Sequence, residues 1–170
     1  MVSFSLMKSR MLWIWVLSYP SFFSAEVTAN QLNLRVQRGS DFESYADGLV
    51  IHVRDVNEVD ETRLGLPIPL AYDEDGEAGL VSAILYLNES CYSGFPAEHR
   101  RRPLIMPATS GSIVFSAIYS PDRDAAATAI EAELVDVQFI DRETPEERNA
   151  TLSGEFSLFY QRGSPAQRFP

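Results

Sequence analysis

Three groups of side chains in this 170-residue chain have the types and spacing for chemistry. Asp73, Asp75 and Glu77 alternate through Tyr72-Asp73-Glu74-Asp75-Gly76-Glu77, and carboxylate oxygens clustered on a turn are what a hard cation such as calcium requires. The spacing departs from the helix-loop-helix calcium pattern. Ala78 stands where the sharp-turn glycine belongs, and Ile84 where the closing glutamate belongs. A solvated acidic turn without metal is the plainer expectation.

Cys91 with His99 or His52 supplies a thiol and an imidazole, the beginnings of a nucleophile and its base in a hydrolase. Such a pair also needs an orienting third group and an oxyanion donor set. His52 falls opposite Leu49, Ile51 and Val53 in an alternating run, where a half-exposed structural imidazole is expected. His99-Arg100-Arg101-Arg102 is a basic cluster in an acidic chain. Adjacent guanidinium groups grip a carboxylate or phosphate through paired hydrogen bonds, so the cluster is a candidate anion or partner site. Its other role is to neutralise the acidic stretches at residues 54–61 and 73–77. No serine nucleophile elbow, zinc spacing, phosphate loop or dinucleotide fingerprint occurs. The expectation is therefore no catalytic residue, no cofactor and a non-enzymatic role.

The elements that must position these groups are strands. From residue 31 onward the pattern has period two, in short runs separated by Pro, Gly, Asp and Asn. Leu32, Leu34 and Val36 share one side of the first run, and Asn33, Arg35 and Gln37 the other. Residues 80–87 and 113–119 are apolar on both faces and read as central strands. Residues 54–66 read as a polar loop. Leu66-Pro67-Ile68-Pro69-Leu70 is restricted to an edge strand or linker, because Pro donates no ladder hydrogen bond. Residues 89–102 form the longest irregular connection, and long connections often carry function.

The carboxyl-terminal third reads as a long hairpin. Ala150, Leu152, Gly154, Phe156, Leu158 and Tyr160 share a side, whereas the preceding apolar set changes parity from Ile130, Ala132 and Leu134 to Val135, Val137 and Phe139. A β-bulge at Leu134 and Val135, both opposite Phe156, restores agreement, with Phe139 facing Leu152. The competing reading makes residues 121–134 a helix. About eight strands give an all-β, antiparallel two-sheet sandwich, with a small β-barrel as the alternative.

The amino-terminal residues have the layout of a secretory signal: Lys8 and Arg10, then the apolar Met-Leu-Trp-Ile-Trp-Val-Leu at residues 11–17, then smaller side chains ending in Val27-Thr28-Ala29. The domain reading is a signal peptide over 1–29, a β-sandwich domain over 30–162 and an extended tail over 163–170. The apolar run is too short to span a bilayer, which takes about 20 residues. The whole chain carries a formal charge of −10, and a surface of that sign repels nucleic acid and anionic lipid. A lone Cys allows no intrachain disulfide, so the fold must rest on packing.

The segments Gly111-Ser112-Ile113-Val114-Phe115, Ala132-Glu133-Leu134-Val135-Asp136-Val137-Gln138-Phe139, Leu152-Ser153-Gly154-Glu155-Phe156 and Arg162-Gly163-Ser164-Pro165 resemble small uncharacterised exported β-proteins of Gram-negative bacteria. The resemblance implies export and an all-β fold and transfers no activity. Those proteins often carry a lipobox Cys that this chain lacks. The combined expectation is a monomeric protein of the cell envelope, periplasm or exterior that acts by contact with a protein or glycan. The alternative is a small-ligand carrier or sensor with an apolar cavity between the sheets, lined by residues such as Phe115, Tyr119, Phe156 and Tyr160.

Overall fold

The structure, a computed structural model, describes residues 3–7, 22–37, 48–70, 79–87, 104–119, 128–141 and 148–160. Nine strands occur among them: β1 (Ser3–Met7), β2 (Phe22–Thr28), β3 (Gln31–Gln37), β4 (Gly48–Val53), β5 (Pro67–Pro69), β6 (Val81–Leu87), β7 (Leu104–Ala117), β8 (Thr128–Ile140) and β9 (Asn149–Tyr160). Every pairing is antiparallel, in the order β1-β9-β8-β7-β6-β4-β3-β2, with β5 attached to β7. The all-β expectation holds. Among the described residues the strands form one curled sheet, open like a half-barrel, rather than two separate sheets. The reason is the length of β7. Its first residues pair with β6, and further along Ser112 to Val114 take β5 on the edge that β6 has left.

The half built from β3, β4 and β6 follows strict alternation. Leu32, Leu34 and Val36, then Leu49, Ile51 and Val53, then Val81, Ala83 and Leu85 are buried, and the register between these strands is unbroken. Burying each Val, Leu or Ile of these rows contributes about 1.5–3 kcal/mol relative to leaving it in water, so slipping one strand by a residue would forfeit a whole row.

The half built from β7, β8 and β9 is kinked. In β7 the buried set passes from Met106 and Ala108 to Ile113 and Phe115, and in β8 from Ile130, Ala132 and Leu134 to Val137 and Phe139. Both strands therefore change sides, while β9 keeps Ala150, Leu152 and Phe156 inward throughout. Leu134 pairs with Gly154 and Val137 with Leu152, leaving Val135 and Asp136 against Ser153 alone. This is the expected two-against-one bulge, one position further on. Val135 is 37% exposed rather than in the core, and Phe139 pairs with Ala150 rather than Leu152. The register thus differs from the expected one by two residues, an even number that keeps Ile130, Ala132, Leu134, Val137 and Phe139 on the core side and moves only Val135 of the expected set outward. Residues 128–134 are strand, against the helical alternative.

The bulge has specific fittings. Asp136 adopts a left-handed φ of 48°. Its N–H donates to Ser153 Oγ (3.0 Å), and that hydroxyl donates to Asp136 Oδ1 (3.1 Å). Across the other edge of β8, Gly111 has φ 98°, and a Cβ there would lie 2.5 Å from Val137 Cα and 2.7 Å from Asp136 O. Only glycine fits both the angle and the approach.

One connection differs from the loop expected at residues 54–66. Asp55 caps a single helical turn, α1 (Val56–Glu58), accepting from the N–H groups of Asn57 (3.0 Å) and Glu58 (3.3 Å). A wider turn, Val59–Arg63, follows. Val56 and Val59, spaced one turn apart, are both fully buried, so their burial holds this otherwise polar stretch on the core. The Pro67–Pro69 stretch is the edge strand its prolines permit, paired with Val114 to Ser112. Among the described residues, the buried aliphatic and aromatic side chains join one cluster.

Two stretches expected within the leader hold the ends of the path. β1 pairs with β9, and β2 with β3 through a turn at Ala29 and Asn30, where Ala29 has φ 54° and both residues are exposed. The bond expected to be cleaved, Ala29–Asn30, lies in that turn.

Candidate functional site

Asp73, Asp75, Glu77, Cys91, His99, Arg100, Arg101 and Arg102 lie outside the described residues. His52 is described. It is half-buried on the outer face, and its Nδ1 lies 2.7 Å from Asn33 Oδ1; an amide oxygen only accepts, so Nδ1 is the donor. His52 stands opposite Asn33 on one side and Ser82 on the other, a polar row across three strands. Among the described residues no three His, Cys, Asp or Glu side chains group to hold a metal ion. None of the described helices is long and apolar enough to cross a membrane.

Of the aromatic residues expected to line a carrier cavity, Phe115, Tyr119 and Phe156 belong to the buried cluster. The side chain of Tyr160 is outside the described set. A cleft of about 360 Å³ does occur, between Glu58 and Arg63 of the helical turns, Ile68 and Pro69 of β5, and Gly79 and Leu80 before β6. Phe115, Tyr119 and Phe156 are not among its described lining residues.

The feature that residue-by-residue reading missed is the outer face of β7, β8 and β9. The parity that sends Ile130, Ala132 and Leu134 inward sends Glu131 and Glu133 outward, and the bulge puts Asp136 on the surface as well. On β9, Glu155 is exposed between Ser153 and Ser157. Glu133 stands directly opposite Glu155 in the ladder. These three strands contain four carboxylates and no Lys, Arg or His.

Hydroxyl groups fix part of this face. Ser157 Oγ donates to Glu131 Oε1 (3.0 Å), and Ser116 Oγ reaches Glu131 Oε2 (3.4 Å), so Glu131 is held between neighbours on β9 and β7. Asp136 is held by Ser153 on the same face. Glu133 and Glu155 remain as a cross-strand pair of like charge, a juxtaposition that destabilises a sheet. The signal was legible in the parity of Glu131, Glu133 and Glu155 against their apolar neighbours. No family model, no curated protein and no solved structure matches this chain.

Proposed function

We propose that this chain is exported and works without catalysis, by laying the outer face of β7, β8 and β9 against a cationic surface of a partner protein. The observation that carries the reading is the Glu133–Glu155 pair: two carboxylates face each other across a ladder whose three strands supply no cation. A partner bearing Arg or Lys offsets the repulsion and gains charge-assisted hydrogen bonds. The open, hydroxyl-rich outer face suits a broad contact better than an enclosed ligand. In the same reading the two halves of the curled sheet are the layers of a sandwich closed over the shared core, and export agrees with the signal layout and with the resemblance to exported β-proteins.

The test compares two double variants of equal net charge, using an arginine-rich peptide as the probe at physiological salt. Glu133→Gln with Glu155→Gln removes the facing pair; Glu58→Gln with Glu61→Gln removes two carboxylates from the helical turns. The reading expects the first to weaken binding by about tenfold, equivalent to about 1.4 kcal/mol, and the second to leave it near wild type. Equal losses in both would show that net charge alone attracts the probe and would overturn it.

A further inference from the structure

We infer that the β9 edge is a strand-acceptor site, filled after export by an extended segment of another protein that alternates apolar and small polar residues. The inference rests on the proposed export and on removal of the expected signal peptide, residues 1–29, in the course of it.

Among the described residues the neighbours of β9 in the sheet are β8 and β1. That strand comes from the segment whose removal is proposed, and it is seated antiparallel with Ser3 opposite Glu155 and Met7 opposite Thr151. Losing it uncovers a row of backbone N–H and C=O groups, and unpaired edges of this kind are templates for another strand. Natural edges are usually blunted by Pro, Lys, bulges or shortness. β9 has 12 residues, no Pro, no Lys or Arg, and Glu155 as its one charge. The extra residue in the β8–β9 ladder lies in β8, so β9 keeps its side alternation from Ala150 to Phe156. By contrast, the β3 edge that loss of β2 would uncover carries the exposed Arg35 in its middle.

The seated strand defines what fits. Phe4 and Leu6 stand opposite Gly154 and Leu152, at core-side positions of β9, while Ser3 and Ser5 stand opposite Glu155 and Ser153 of the outer face. An incoming strand therefore needs apolar residues two apart, separated by small polar ones. A second copy of this chain fits less well, since self-pairing through β9 would bring two acidic outer faces side by side in a chain that loses Lys8, Arg10 and Glu26 with its leader and so becomes more acidic than the −10 of the full sequence.

The test uses the exported protein recovered from cells expressing the full chain. Intact mass and amino-terminal sequencing read the processing state. A labelled peptide of sequence Met-Val-Ser-Phe-Ser-Leu-Met-Lys is then titrated alongside two versions, one N-methylated at Ser5 and one at Leu6. Consecutive N–H groups of a strand point to opposite edges. The inference therefore expects one N-methyl group to weaken binding by at least about tenfold, the loss of a ladder hydrogen bond, and the other to change it little. Processed protein that ignores the peptide, or responds equally to both methyl groups, overturns the inference and leaves export standing. Processed protein that sediments as a dimer refusing the peptide gives the edge to a second copy and also overturns it. Recovery of the chain with Met1 attached overturns both, because the edge then belongs permanently to β1.

Discussion

The two halves of the sheet share β7 and a single core, yet they achieve burial in opposite ways. Between β3, β4 and β6 every residue keeps its side and the ladder has no interruption. Between β7, β8 and β9 the ladder shifts four times, and two strands change sides. The outer faces differ too. Val50, Ile84 and Tyr86 are half-buried and Ile105 is 53% exposed on the regular half, whereas the kinked half presents Glu131, Glu133, Asp136 and Glu155. The comparison teaches that a bulge does more than bend a strand. Without the extra residue in β8, the parity that sends Glu131 and Glu133 outward would carry Val137 and Phe139 outward with them.

The largest effect that separates the halves comes from glycine. Gly111→Val places a side chain against the backbone of Val137 and Asp136 at a φ of 98°, and should cost roughly 5 kcal/mol, a large share of a domain's stability. Gly48→Val in the regular half meets nothing nearer than Val36 O at 3.5 Å, and should cost no more than about 1 kcal/mol. Urea unfolding of both variants checks the pair. Equal midpoints would mean that the kink is not built on Gly111.

A smaller effect belongs to the clasp. Ser153→Ala removes the acceptor for the Asp136 N–H and the donor to its carboxylate, with an expected loss of about 1 kcal/mol. An unchanged unfolding midpoint would show that β8 holds its bulge unaided.

The smallest change has the opposite sign. Glu133→Lys turns the repulsion with Glu155 into attraction, and should stabilise the fold by about 0.5 kcal/mol, an increment that shrinks as salt is added. Loss of stability, or a gain indifferent to salt, would contradict the cross-strand placement. In the proposed function the same substitution should weaken capture of the arginine-rich peptide, so stability and binding move apart.

Much of the regular half was legible because alternation alone determines it: Leu32, Leu34, Val36, Leu49, Ile51 and Val53 occupy the sides their spacing assigns. The β8 bulge was legible too, since the Ile130 and Phe139 sets cannot share a face on an unbroken strand. Its position was not. Leu134 and Val135 are both apolar, and the choice between them depends on Asp136 accepting a left-handed φ and on Ser153 being opposite to hold it. The matching switch in β7 was missed because the strand begins at Leu104, earlier than its most apolar stretch. Residues 54–66 looked like a loop because the two valines that anchor them are outnumbered by charge. The acidic face escaped notice because Glu131 and Glu155 become neighbours in a face only once the register is known.

The account turns on two residues of β8 opposing one residue of β9. Amide and Cα proton NMR of the intact chain tests this directly. Short cross-strand contacts are expected between Leu134 and Gly154 and between Val137 and Leu152, with both Val135 and Asp136 near Ser153. Contacts that instead bring Val135 opposite Phe156, or an unbroken ladder through Asp136, would contradict it.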